Sequence, residues 1–294
     1  MSRPEIAFGT PRKLPKPSSL KGRVVVLDIA FAADAGSATF ESVTGKFLRR
    51  LGDRLALWVD HHDHARHVDY ADDPRFVLAT KAQHGACPEM ITPELVERAG
   101  AVDTVVCHGD FDGLCSAAKW LRGGEEPYPG ADDDARAIDT RIGKPGELAA
   151  NIDRALRGRP RDNGLKGVIV RYLADGAKDR GLYEPIAEAA RAFLPREEEA
   201  RRLAKGYRVH NDVAVCDARE RSGPYDKTLL LLLGQERARV AVVHDDTTAT
   251  AAAAFDSGVD LLELFGLEGG MPTVVSLGAK DLPRMLERLG YREA

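Results

Sequence analysis

The chain has 294 residues, 44% of them hydrophobic, enough for a sizeable core and for more than one domain. Its 42 basic residues against 46 acidic ones leave a formal net charge of −4, which excludes a general basic coat for nucleic acid but not a local groove that holds phosphate. Residues 1–19 are polar and proline-rich with no apolar h-region, and no apolar run reaches membrane-spanning length, so no membrane partner is expected.

Residues 1–20 carry Pro4, Pro11, Pro15 and Pro17 among Lys, Arg and Ser and read as an irregular lead-in. Residues 23–27 (RVVVL) predict a buried strand that ends at Asp28. Residues 41–51 carry Val43, Phe47, Leu48 and Leu51 at helical spacing, and residues 54–59 predict a second strand ending at Asp60. Thr92 caps a helix over 92–99, with Pro93 in its first turn. A third strand over 102–107 runs into His108-Gly109-Asp110-Phe111-Asp112-Gly113, and a helix over 114–121 follows. Residues 135–138 read as a fourth strand ending at Asp139, and 167–170 as a fifth. Residues 182–194 and 197–203 are charge-rich helices with Pro195 between them. Beyond them, strands are expected at 213–216, 228–233, 240–243 and 273–277, and helices at 261–265 and 282–289. The domains drawn are the lead-in, a domain over 21–180, a helical connector over 181–207 and a second domain over 208–294. The fold class expected is α/β: a mostly parallel, doubly wound sheet with helices on both faces, plus a smaller C-terminal α/β domain.

One event repeats along the first domain. A strand runs out and a cluster of Asp or His follows, at Asp28, at Asp60-His61-His62, at 108–112 and at Asp139. Ligands of parallel sheets bind beyond the carboxyl ends of the strands, so these clusters are expected to meet in one crevice. Carboxylates crowded together repel one another and are costly to desolvate unless a cation lies between them. Asp28, Asp60, Asp110, Asp112, Asp139, His61 and His108 suffice for two divalent ions, and mixed imidazole and carboxylate ligands suit Mn, Fe or Zn. Two such ions would lower the pKa of water and withdraw charge from a phosphoryl group. His62 is left to donate to a phosphate oxygen. A solvated loop is the plainer reading of the histidines, and His64 and His67 read as surface residues of such a loop. The four cysteines, Cys87, Cys107, Cys115 and Cys216, form no CxxC pair, so neither a zinc knuckle nor a dithiol motif is visible and a reducing cytoplasm is expected. Cys107 and Cys115 are expected to be buried.

These residues resemble the motifs of the DHH phosphoesterase superfamily, which includes RecJ-like nucleases, oligoribonucleases, cyclic-dinucleotide phosphodiesterases and manganese inorganic pyrophosphatases. Asp60-His61-His62 resembles the eponymous motif. The segment 108–113 with Cys115-Ser116-Ala117-Ala118 resembles the first motif, Asp28 the bridging carboxylate of the second, and Asp139 the fourth, with Asp132, Asp133 and Asp134 as rivals. The order differs from that family, because the first motif here comes last, as a circular permutation would leave it. The C-terminal region resembles the DHHA1 substrate-binding domain, with Glu268-Gly269-Gly270-Met271 where relatives carry a GGGH segment. A thioether cannot donate as that imidazole does.

The resemblance implies a phosphodiesterase that uses two divalent ions, manganese foremost. The expected catalytic residues are Asp60, His62 and Asp110, and the substrate a short single-stranded oligonucleotide or a dinucleotide, linear or cyclic. Arg141, His210, Gly269 and Gly270 are candidate substrate contacts; Lys144, Asn211 and His244-Asp245-Asp246 are lesser ones. A homodimer is a possible assembly. An inorganic pyrophosphatase and a nucleotide-binding module without turnover are the alternatives.

Overall fold

The computed structural model describes residues 3–33, 38–267 and 271–291. Its contacts divide the chain into two compact units, Met1–Ala192 and Phe193–Ala294. The sheet of the first unit is built from β1 (Glu5–Phe8), β2 (Val24–Leu27), β3 (Leu55–Asp60), β4 (Phe76–Leu78) and β5 (Thr104–Cys107), in the spatial order β1-β5-β2-β3-β4. Every neighbouring pair is parallel. All carboxyl ends therefore open on one edge, and β5, β2 and β3 lie side by side at its centre.

Alternation along these strands serves two cores. Val25, Leu27, Leu57, Val59, Val105 and Cys107 face one side, which is covered by α2 (Pro93–Ala99), α3 (Phe111–Leu121), α4 (Ala131–Thr140), α5 (Glu147–Gly158) and α6 (Asn163–Ala174). Val24, Val26, Trp58 and Val106 face the other side, where α1 (Lys46–Leu51) supplies Phe47 and Leu51 and the turn after β2 supplies Phe31. The sheet is doubly wound, as the sequence implies. In the second unit, β6 (Arg208–His210), β7 (Val213–Asp217), β8 (Val240–His244), β9 (Thr248–Ala253) and β10 (Val274–Gly278) form a smaller sheet in the order β10-β9-β8-β7-β6. One pair, β7 with β8, is parallel and the others are antiparallel. Leu230 and Leu231 of α8 (Lys227–Gln235) pack on one of its faces. Leu261 of α9 (Leu261–Phe265) and Met285 of α10 (Leu282–Arg288) pack on the other.

Several elements differ from the sequence expectation. Residues 5–8, placed in the irregular lead-in, are β1, because they pair in register with β5 from Glu5↔Thr104 to Phe8↔Cys107. Residues 135–138 are helical within α4, whose buried Ala131, Ala135 and Ile138 recur at helical spacing. Residues 167–170 lie in α6, started by the Asp162 side chain, which accepts from the Leu165 N–H. Residues 228–233 lie in α8, where Asp226 caps the Leu229 N–H and a leucine run follows its helix preference. Pro195 does not divide two helices: α7 (Arg180–Ala204) is continuous through it. His64 and His67 flank and enter a 3-10 turn over Ala65–Tyr70, and their rings pack edge-on against buried Phe31 at centroid distances of 5.6 and 5.3 Å.

Candidate metal centre

The carboxyl edge of β5, β2 and β3 gathers the titratable residues. Asp28 follows β2 with its backbone in the left-handed region, φ 56°, and its N–H donates to Val59 O on β3 at 2.9 Å. A non-glycine residue adopts that conformation at a cost, so the surrounding structure must enforce it. Its side chain is 1% exposed, and among the described residues neither carboxylate oxygen has a hydrogen-bond partner. Burial, with nearby Asp110, raises its pKa to about 6 against the pull of three histidines.

His61 lies beyond β3, fully buried. Its Nδ1 is 2.9 Å from the carbonyl oxygen of His84 and donates to it, which turns Nε2 toward the carboxylates. Nε2 stands 3.2 Å from Asp112 Oδ2, 3.4 Å from Asp28 Oδ1 and 3.9 Å from Asp139 Oδ2. It has no geometrically sound hydrogen bond. Burial lowers its pKa, but Asp112 and Asp28 outweigh burial and lift it to about 11. His62 is 30% exposed on its side chain, and its Nδ1 is held 2.8 Å from Asp60 Oδ1.

The third cluster stands at the start of α3. Asp110 is its N-cap and accepts from the Gly113 N–H at 3.1 Å, so the helix begins at Phe111 and Asp112 sits in its first turn. The helix expected from residue 114 therefore starts three residues earlier, inside the 108–113 segment. A Cβ on Gly113 would lie 2.6 Å from His108 O, so glycine is what allows the helix to start this close to the strand end. His108 Nδ1 is 2.7 Å from Asp110 Oδ2 and 3.8 Å from Asp28 Oδ2. Partial burial lowers the His108 pKa, but Asp110 lifts it to about 9, and His108 in turn holds the carboxyl of part-exposed Asp110 well below its usual range against partial desolvation. Asp112 is oriented by the Cys87 N–H at 3.0 Å, and burial beside Asp28 raises its pKa well above the usual value.

Asp139 arrives from α4 rather than from a strand end. Lys119 of α3, buried, bonds Asp132 of α4 and the Pro88 carbonyl, and Arg136 of α4 bonds Glu89 at 2.7 Å. These contacts seat α4 so that Asp139 reaches His61. Asp132 is thereby committed to Lys119, Asp134 to Tyr128 and the Gly146 N–H, and Asp133 is exposed, so Asp139 is the acid of this helix that joins the donor groups of the centre.

Among the described residues three groups offer donor atoms within 4.8 Å of one another: Asp28 with His61 and His62, Asp28 with His108 and Asp110, and His61 with Asp112 and Asp139. The donor set fits divalent cations. Buried Asp28 oxygens and the His61 Nε2 without partners are the groups a cation would satisfy, and Asp28 is shared by two of the groups. Asp60 joins none of the three; its Oδ1 holds His62 and its Oδ2 is buried without a partner.

The remaining candidates are more scattered. Arg141 ends α4 with φ 61° and pairs with Asp153 at 3.8 Å. His210 ends β6 in the second unit, its ring 5.8 Å from that of Tyr291. Gly269 and Gly270, with Glu268, lie outside the described residues, whereas Met271 is exposed. Asp245 accepts from the Thr247 and Thr248 N–H groups at the β8–β9 turn and Asp246 pairs with Arg221, so both are structural there. Asn211 donates to the Gly290 carbonyl. All four cysteines are unpaired and buried.

Two lysines escaped the sequence reading. Lys81 Nζ is 2.6 Å from Asp139 Oδ2 with a side chain 10% exposed. Lys166 of α6 is buried, lies 5.7 Å above the Phe8 ring, and packs so closely on Gly109 that a Cβ there would stand 2.4 Å from its Nζ. The signal for Lys81 was β4: once Phe76-Val77-Leu78 is seen as a strand, Lys81 falls at the same carboxyl edge.

No protein-family profile and no curated protein matches the chain. Solved structures do resemble it. A pGpG-specific phosphodiesterase, PggH from Vibrio cholerae, is similar with a TM-score of 0.47 and 11% identity, covering 92% of this chain and 97% of its own. An exonuclease RecJ bound to manganese is similar with a TM-score of 0.48 and 14% identity, covering 90% of this chain and 74% of its own. At this distance the functional reading rests on the side chains of the centre.

Proposed function

We propose that the chain is a metal-dependent phosphodiesterase acting on short single-stranded oligonucleotides or dinucleotides, with two divalent ions, manganese foremost. The observation that supports it most is Asp28: a fully buried carboxylate with both oxygens unpartnered, shared between groups that end in His108 and Asp110 on one side and in His61 and His62 on the other. Asp28, His108 and Asp110 would hold one ion, and His61, Asp112 and Asp139 with Asp28 the other. Ions bound there would supply a Lewis acid for the phosphoryl oxygens and a water of lowered pKa.

The protein's own groups do the rest. His84 O fixes the His61 ring, and Asp60 fixes His62 through Nδ1, which leaves the His62 Nε2 edge of a part-exposed ring for a phosphate oxygen. Lys166 offers an ammonium beside Gly109 at the first-motif loop. The second unit, which includes the segment resembling DHHA1, is proposed to bind substrate. The compartment proposed is the cytoplasm, in keeping with four unpaired cysteines. Among the described residues no helix is long and apolar enough to cross a membrane.

End-labelled single-stranded DNA and RNA, from dinucleotides to about twenty nucleotides, test the reading, since the upper length exceeds the site of a single binding module. Cleavage with Mn that EDTA stops and Asp110→Asn abolishes is the expected result. Cleavage of inorganic pyrophosphate alone would move the reading to the pyrophosphatase alternative, and binding without any product to the module without turnover.

A further inference from the structure

The two cation positions of this centre are not equivalent in what already surrounds them. After β4 the chain makes a tight turn in which the Gln83 and His84 N–H groups both donate to Thr80 O at 3.0 Å. The Gln83 side chain accepts from the Thr80 N–H at 2.9 Å and closes the turn. That turn sends two groups to the same place. His84 O takes the Nδ1 proton of His61, and Lys81 Nζ lies 2.6 Å from Asp139 Oδ2, the oxygen that also faces His61 Nε2 at 3.9 Å. With its side chain 10% exposed, the ammonium is largely withdrawn from water, and the Asp139 carboxylate is what compensates it.

On the other side, the ion pairs of Asp28 and Asp110 are to His61, His62 and His108, all histidines. Imidazole nitrogen becomes a metal ligand once its proton is released, so those pairs give way to coordination with loss of the ring proton. An ammonium has no lone pair and can only compete. A divalent ion entering between His61, Asp112 and Asp139 must share Asp139 with a fixed positive charge in a poorly screened setting.

We propose that Lys81 is a resident counter-cation of the Asp139 side, and that it makes cation loading sequential: the Asp28, His108 and Asp110 position fills first, and the His61, Asp112 and Asp139 position fills only against Lys81. The inference rests on the metal-dependent reading above and deepens it by ranking the two positions.

Equilibrium dialysis and calorimetric titration of the metal-stripped full-length chain with Mn²⁺ alone test it, comparing wild type, Lys81→Met and Lys81→Arg. Wild type is expected to bind one ion tightly and a second at least tenfold more weakly. Lys81→Met, which keeps the length and removes the charge, is expected to tighten the second ion at least tenfold and leave the first within about threefold. Lys81→Arg, which keeps the charge, is expected to retain the wild-type ranking. Two ions of equal affinity in wild type would overturn the proposal while leaving the metal-dependent reading intact. So would loss of the second ion in a folded Lys81→Met protein, which would make Lys81 a support for Asp139 rather than its competitor. No bound ion in any folded variant would overturn both.

Discussion

Asp28→Asn separates stability from function at the heart of this centre. In the metal-free protein Asp28 is 1% exposed, and burial beside Asp110 raises its pKa from 3.8 to about 6. An acid whose folded pKa is raised loses stability as pH rises from the unfolded value through the folded one, and the whole cost is present above the higher value. At pH 7.5 the shift corresponds to about 3 kcal/mol, taking 1.36 kcal/mol per pKa unit. Asn carries no charge, matches the shape, and tolerates the left-handed backbone at φ 56° better than most residues. In EDTA at pH 7.5 the variant is therefore expected to unfold at a higher temperature than wild type, by up to about 10 °C for a unit of this size. Adding Mn should raise the wild-type midpoint and leave the variant's unchanged, because ligand binding stabilises only the form that binds. Thermal unfolding followed by far-UV circular dichroism, with and without Mn, reads both effects. A variant that melts below wild type in EDTA, or that Mn stabilises as much as wild type, would refute the assignment of Asp28 as a buried carboxylate awaiting a cation.

Other perturbations follow from the same geometry. Gly113→Ala would place a Cβ 2.6 Å from His108 O; the overlap, about 1–3 kcal/mol, should exceed the helix-propensity gain of up to about 1 kcal/mol, and urea unfolding should show a net loss together with weaker Mn binding. Lys119→Met strips the partner from half-buried Asp132 and the donor from the Pro88 carbonyl, and should cost about 1–3 kcal/mol in the same assay. Lys166→Met should raise KM for a phosphodiester substrate about tenfold with kcat little changed and the melting temperature within a few degrees of wild type. An equal fall in kcat with KM untouched would show that Lys166 does not contact the substrate in its ground state.

Much of the first unit was legible in the sequence because its central strands are short apolar runs cut off by Asp or His. Residues 24–27, 55–60 and 104–107 needed only hydrophobic pattern and a polar stop. Asp28, His61, His108, Asp110 and Asp112 followed from those stops, since parallel strands place their carboxyl ends on one edge. The misreadings have physical causes. β1 is proline-flanked and short, and its identity comes from pairing with β5, nearly a hundred residues away in the chain. Residues 135–138 are apolar enough to pass for a strand, and only their burial at a spacing of three to four with Ala131 reveals α4. Five leucines in a row at 229–233 carry no periodicity, so the capping Asp226 was the better guide. Lys166 was invisible because an isolated lysine gives no pattern, and Lys81 was missed because the three-residue strand β4 that brings it to the carboxyl edge was not read. The unusual motif order matters little in three dimensions: β5 occupies the sheet position next to β2 although it follows β3 and β4 in the chain.

The most direct test of the account is anomalous diffraction at the manganese edge from crystals of the full chain grown with Mn²⁺. A peak among Asp28, His108 and Asp110 is expected, accompanied by one among His61, Asp112 and Asp139 of lower occupancy at limiting manganese. A well-ordered centre with no anomalous peak at saturating manganese would contradict the claim that these carboxylates and imidazoles exist to hold catalytic cations.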